Sequence, residues 1–208
     1  MNFELPRIYP ITDARLSGIS HGEQVERLIA GGARLIQIRE KYASPREFYE
    51  SVSRAVEIAR KAGVRIIIND RVDIALALKT DGVHLGQDDM PPEKAREILG
   101  ADAIVGFSTH SLEQARNALS LPIDYIAIGP IFQTKTKENP DEVVGLADLC
   151  EIREVTGDFP LVAIGGINAE NLHSVLNAGA DSAAVVGAVV SDSAKIEARM
   201  RHLISLTA

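Results

Sequence analysis

The sequence predicts an α/β fold, a (β/α)8 TIM barrel of minimal length, as a single TIM-barrel domain over residues 1–208. Three observations predict it. Short β-branched runs alternate with amphipathic stretches from end to end. Eight such pairs in 208 residues give a repeat of ~26 residues, about the spacing of this barrel reduced to its essentials. Several runs are apolar almost throughout, as parallel strands covered on both faces must be. A doubly wound open sheet normally stops at about five or six strands and reverses its order. Eight uniform units favour closure.

The predicted strands are "RIYPITD" (7–13), "ARLIQIRE" (33–40), "VRIIIND" (64–70), "GVHLG" (82–86), "AIVGFST" (103–109), "DYIAIGP" (124–130), "PLVAIGG" (160–166) and "SAAVVGA" (182–188). Helix signals lie between them. In "SPREFYESVSRAVEIARKAG", Ser44 is an N-cap, Pro45 takes the first helical position and Glu47 completes a capping box. That helix should end at Gly63 in a left-handed cap. "MPPEKAREILG" repeats the plan with Pro92 and Gly100. "SLEQARNALS" and "NAENLHSVLNAGA" open on Ser or Asn and place apolar residues at helical spacing.

Composition bounds the function. Hydrophobic residues at 46% and charged residues at 25% are ordinary for a soluble globular chain. Aromatics are only 4% and Trp is absent, so Ile, Val, Leu and Ala must build the core. A net charge of −7 does not suit bulk binding of nucleic acid. Cys150 is the single cysteine, which excludes an intrachain disulfide. The start "MNFELPRIYP" carries no signal-peptide pattern, and no apolar run reaches ~18 residues. The expectation is a cytoplasmic protein with no membrane partner. A homo-oligomer is left open.

In this barrel the chemistry gathers where strands end, and unusual polar residues cluster there. The second strand ends "QIREK". Gln37 and Arg39 are two apart and share a face, with Lys41 following. Such cations in the mouth call for an anion, although a solvated strand end is the plain alternative. The third ends on Asn69 and Asp70, the fourth in "HLGQDD" with Asp88 and Asp89. Carboxylates from adjacent strand ends suit Mg²⁺, which usually also holds phosphate. The same carboxylates also suit N-capping of the helices that follow. Ser108 ends the fifth strand as a polar ligand contact; His110 beside it reads more as a loop residue. His84 lies inside the fourth strand, and the histidines show no metal-ligand spacing.

The sixth strand runs into "GPIFQTKTKENPD", where Thr134, Lys135, Thr136 and Lys137 alternate. A connection of about 14 residues is long for so small a barrel, and long loops are usually functional. Gly165 and Gly166 end the seventh strand, and "VVGA" ends the eighth. Glycine-rich ends at those two strands, facing helix N-termini, form the usual phosphate site of the fold. The mouth thus has room for a metal-bound diphosphate on one side and a monophosphate on the other.

At these residues the chain resembles the thiamine phosphate synthase family, almost end to end. The carrying motifs are "QIREK", "IIINDRVDIALAL", "DGVHLGQDD", "GFSTH", "DYIAIGPIFQTKTK", "VAIGGI" and "VVGA", in that order and spacing. The resemblance implies a Mg²⁺-dependent transferase. It joins a hydroxymethylpyrimidine diphosphate to a thiazole monophosphate and releases pyrophosphate by a dissociative route. It implies pyrimidine-diphosphate contacts at Gln37, Arg39, Glu40, Lys41, Asn69, Ser108 and Lys137. Arg39, Lys41, Ser108 and Lys137 would carry the catalysis. Asp70 and Asp89 would be the Mg²⁺ ligands, ahead of Asp88. Thr134, Thr136 and the backbone of Gly166, Val186 and Gly187 would hold the thiazole phosphate, with Lys135 turned to solvent.

Two positions depart from the family pattern. Gly187 stands where Ser or Thr is common, which removes a hydroxyl but keeps the amide. Asn139 stands near a common acidic position and bears on loop closure. The related thiazole tautomerases share the barrel, but tend to lose the metal and diphosphate residues and to carry a histidine at the proline of "GPIF". This chain keeps Pro130, Lys137, Asp70 and Asp89. A non-catalytic vitamin- or phosphate-binding regulator would be expected to lose the same charged set. Other phosphate-binding barrels usually need a catalytic Lys or carboxylate inside a strand, and none stands out.

Overall fold

The computed structural model describes residues 4–134 and 142–207. Eight parallel strands close into a barrel in sequence order. They are β1 Ile8–Thr12, β2 Leu35–Ile38, β3 Arg65–Asn69, β4 Gly82–Leu85, β5 Ile104–Thr109, β6 Tyr125–Ile128, β7 Leu161–Ile164 and β8 Ser182–Val185. The seam is a true ladder, with Ile8 opposite Ala183 and Tyr9 opposite Ala184. Every predicted strand is present but shorter than its apolar run. The last residues of each run leave the ladder to build the mouth.

The helices are α1 Ala14–Ser17, α2 His21–Ala30, α3 Pro45–Ala62, α4 Val72–Leu78, α5 Pro92–Leu99, α6 Leu112–Ala118, α7 Gly145–Thr156, α8 Leu172–Asn177, α9 Gly187–Val190 and α10 Ile196–Ser205. The capping box of Ser44 and Glu47 forms as predicted, and Gly63 ends α3 at φ 68°. A second box, Ser20 with Glu23, starts α2. Among the described residues no helix is long and apolar enough to cross a membrane.

Strand alternation sorts the core into two layers. Ile36, Ile38, Ile66, Ile68, Val83 and Val105 face the helices. Tyr9, Leu35, Ile67, Ile104, Tyr125 and Val162 fill the barrel interior. Full burial of each such side chain stabilises by ~1.5–3 kcal/mol. Gly106 belongs to this packing. A Cβ there would lie 2.0 Å from Tyr125 Cζ, so the ring occupies the space that any larger residue would need.

At the strand N-termini, away from the mouth, one contact recurs. Asp81, Asp124 and Asp181 stand just before β4, β6 and β8. Their carboxylates accept from the N–H groups of Ile66 (2.8 Å), Val105 (2.7 Å) and Leu161 (2.8 Å) on the preceding strands. An arginine on the helix of every second strand–helix unit donates to a backbone carbonyl at or just beyond the end of the following unit's helix. Arg60 reaches the Leu78 carbonyl at 3.0 Å, Arg96 that of Pro122 at 3.0 Å, Arg153 that of Gly179 at 2.6 Å and Arg201 that of Ala30 at 3.3 Å. Arg96 and Arg153 also pair with Asp124 and Asp181. The barrel floor is latched in a fourfold pattern of paired units.

Candidate active site at the barrel mouth

The cations of "QIREK" enter the mouth as strand parity predicts. Gln37 is 2% exposed, and its amide donates to Tyr9 OH at 3.2 Å. Arg39, two residues on, donates to the Asp13 carboxylate at 3.2 Å. Asp13 was missed in the sequence, although it is a carboxylate at a strand end like the others. Lys41 forms an ion pair with Asp70. Glu40 turns the other way. It accepts from the Tyr42 N–H at 2.9 Å and the Ala43 N–H at 3.4 Å, and its other oxygen meets His21 Nε2 at 3.4 Å. Burial raises the Glu40 pKa, but these amides and His21 together hold it below the usual range. Glu40 therefore braces the loop that carries Arg39 and Lys41.

Asp70 and Asp89 come together. Asp70 sits at φ 60°, in the left-handed region where few non-glycine residues go. Its N–H bonds to the His84 carbonyl at 2.8 Å, which ties it to the neighbouring strand. Asp89 accepts from the Gly86 N–H at 2.7 Å. Its pKa is raised, first by burial and then by contact with the Asp70 carboxyl, while Lys41 opposes the rise. The capping alternative is not realised. The N-cap positions of α4 and α5 are Arg71 and Pro91, and neither makes a side-chain cap bond. Asp88 is exposed.

Asn69, 6% exposed, has a side-chain NH₂ with no partner among the described residues. A buried unpaired donor is costly, so a ligand acceptor above it would offset that cost. Ser108 Oγ lies 2.8 Å from His84 Nε2, and its carbonyl accepts from Gln87 Nε2 at 2.5 Å. His84 Nδ1 lies 3.0 Å from Tyr125 OH, and the imidazole stacks on that ring. Burial lowers its pKa to about 4, with the nearby Asp89 opposing that shift. His110 takes the loop role expected of it, with Nδ1 2.6 Å from the Gly129 carbonyl.

Opposite lies a glycine cup. Gly165 and Gly166 have φ of 101° and 67°. A Cβ on Gly165 would meet Pro130 Cα at 2.5 Å, and one on Gly166 would meet the Gln133 carbonyl at 2.7 Å. The segment after β6 lies directly on them. Ile131 and Phe132 donate to the carbonyls of Ile164 and Gly165 at 2.9 and 3.0 Å. The Gly129–Pro130 peptide is cis. Asn171, another residue the sequence did not single out, donates to the Gly166 carbonyl at 3.0 Å and fixes the turn. Val186 precedes α9, which begins at Gly187. Thr134 ends the described part of the loop beside this cup; Lys135, Thr136, Lys137 and Asn139 lie outside the described residues.

The donor set fits a hard divalent ion. Among the described residues no three His, Cys, Asp or Glu side chains converge as a protein-only metal cage. Two touching carboxylates with a cation already at Asp70 match the Mg²⁺ habit of few protein ligands plus substrate oxygens. Two clefts of about 370 and 270 Å³ lie elsewhere, on the outer face around Val56, Arg60 and Lys79. They touch none of the mouth residues.

Comparison with known proteins agrees with this geometry. Residues 8–189 match the family model of thiamine monophosphate synthase. The chain is 47% identical over 204 residues to a thiamine-phosphate synthase of Chloroflexus aurantiacus, covering 97% of this chain and 94% of that one. It is 48% identical over 187 residues to one of Clostridium novyi, covering 89% and 91%. The solved thiamine phosphate pyrophosphorylase of Pyrococcus furiosus superposes with a TM-score of 0.84 at 39% identity, covering 96% of both chains. With the family model spanning most of the barrel and relatives this similar along nearly their whole length, the chain belongs to the thiamine monophosphate synthase family.

Proposed function

We propose that the chain is a thiamine-phosphate synthase. It condenses 4-amino-2-methyl-5-hydroxymethylpyrimidine diphosphate with 4-methyl-5-(2-phosphoethyl)thiazole and releases pyrophosphate. The observation that carries this reading is the division of the mouth. Touching carboxylates and two cations lie at β2 to β4, and a glycine cup lies across from them at β6 to β8.

Asp70 and Asp89 would hold Mg²⁺, which when bound supplies positive charge to the diphosphate oxygens. Arg39 and Lys41 leave Asp13 and Asp70 to meet those oxygens, joined by Lys137 from the loop after β6. Gln37, Asn69 and Ser108 orient the aminopyrimidine, and Glu40 holds the loop in place. Thr134, Thr136 and the backbone of Gly166, Val186 and Gly187 take the thiazole phosphate. The C–O bond to the diphosphate breaks as negative charge grows on the leaving oxygen. Charge stabilisation there lowers the barrier. The electron-rich aminopyrimidine tolerates the positive charge left on its CH₂, so bond breaking runs ahead of attack. The thiazole nitrogen then closes the C–N bond. No side-chain nucleophile is required.

The test is a coupled assay with both substrates and Mg²⁺, following thiamine phosphate and pyrophosphate together. Isomerisation of a thiazole without pyrophosphate release would overturn the proposal.

A further inference from the structure

Five side chains from five strands form one hydrogen-bonded chain across the top of the barrel interior. Gln37 Nε2 donates to Tyr9 OH (3.2 Å). Tyr9 OH lies 3.1 Å from Tyr125 OH, Tyr125 OH 3.0 Å from His84 Nδ1, and His84 Nε2 2.8 Å from Ser108 Oγ. Both ends are substrate contacts in the reading above, and the inference rests on that reading. The middle members are buried.

A chain of this kind has a direction. With Tyr9 accepting from Gln37, the direction that spends each phenol proton within the chain runs from Tyr9 to Tyr125 and from Tyr125 to His84 Nδ1. That makes Nδ1 an acceptor, so the neutral imidazole carries its proton on Nε2 and donates to Ser108. The Ser108 hydroxyl keeps its own proton for the ligand. At the far end Gln37, having spent its NH₂ on Tyr9, offers its carbonyl oxygen.

We propose that Tyr9, Tyr125 and His84 are positioning residues that fix Gln37 as an acceptor and Ser108 as a donor, and thereby select a 4-aminopyrimidine over its 4-oxo counterpart. The amino ring presents N–H hydrogens beside a bare ring nitrogen. The oxo ring presents a carbonyl beside a ring N–H, the reverse polarity. The two ends cannot be reset independently: reversing one means reversing every proton between them. A site whose buried groups would be left unpaired rejects the wrong partner strongly.

Two measurements test this. The first is ¹⁵N NMR of histidine-labelled protein near neutral pH, with the His84 signal assigned by loss in His84→Asn. The Nε2–H tautomer is expected; the Nδ1–H tautomer would overturn the proposal regardless of activity. The second is kcat/KM for the 4-amino and 4-oxo pyrimidine diphosphates. Tyr125→Phe should cut discrimination by ~10-fold or more through the pyrimidine KM, with the thiazole phosphate KM unchanged. Undiminished discrimination would overturn it. Should Tyr125→Phe not fold, Tyr9→Phe breaks the next link and is read in the same way. If the wild type forms no product from the amino substrate, the synthase reading and the ligand assignment fail together. The tautomer still judges the chain.

Discussion

The carboxyl of Asp89 lies against that of Asp70, each brought there from just beyond the end of its own strand, β4 and β3. Burial, then the bond to Asp70, raises the Asp89 pKa. The sign follows from linkage. Between the ordinary and the raised value the folded state binds the proton more tightly than the unfolded chain, so stability falls as pH rises through that window. At neutral pH the charged pair is a cost. Asp89→Asn should therefore raise Tm in metal-free buffer, abolish the rise in Tm on adding Mg²⁺, and lower turnover by ~3 kcal/mol, about 100-fold. Thermal melts with and without Mg²⁺ check it. Full Mg²⁺ response in Asp89→Asn, with loss in Asp88→Asn, would show the wrong ligand has been chosen.

Gly166 combines φ 67° with a Cβ position 2.7 Å from both Phe132 Cβ and the Gln133 carbonyl. Gly166→Val must push the loop after β6 off the end of β7. The thiazole phosphate KM should rise at least ~10-fold, with little change for the pyrimidine diphosphate. Steady-state kinetics with each substrate varied in turn decide the point. An equal loss for both would indicate a general disturbance of the barrel.

The alternation of Thr134, Lys135, Thr136 and Lys137 assigns different work to the two lysines. Lys137 should meet oxygens whose charge grows along the reaction, so Lys137→Ala should lower kcat as well as affinity. The expected loss is ~2–4 kcal/mol, roughly 30- to 1,000-fold. Lys135→Ala removes the same charge from the same loop and should be nearly silent. Equal, small effects in the two variants would remove Lys137 from the catalytic set.

Two buried histidines carry a pH signature. His84 is held at about 4 and His21 below its ordinary value, both chiefly by burial. A lowered histidine pKa means the unfolded chain takes up protons first. Stability should be intact above ~6.5 and fall as pH drops toward 4, by ~3 kcal/mol for His84 alone. Tm measured across this range in wild type and in His21→Gln checks it, the variant losing part of the slope. A flat profile would mean that both rings are charged in the fold.

The barrel was legible because its signals are local and repeated: apolar runs, capping boxes, and proline and glycine at helix ends. Asp70, Asp89, Gln37 and Arg39 were legible because a strand end in this fold is already a place. What stayed hidden was pairwise. Asp13 with Arg39, and Tyr125 with His84, are distant in sequence and meet only once the barrel closes. Asn171, which nothing in the sequence singled out, spends its amide on the Gly166 carbonyl. Glu40 sits between two cations in the chain and yet faces His21, because the backbone past the end of β2 turns its side chain away from theirs.

The arginine latches of the floor bear on how the chain can be cut. The contact from Arg201 to Ala30 does across the seam what Arg60, Arg96 and Arg153 do within it. Each stitch fastens one pair of strand–helix units to itself, and none reaches the mouth. A circularly permuted chain, opened in a surface loop between pairs, would keep all four. The barrel's order of connection is thus separable from its chemistry: the same catalytic rim can be reached from several starting points along the sequence.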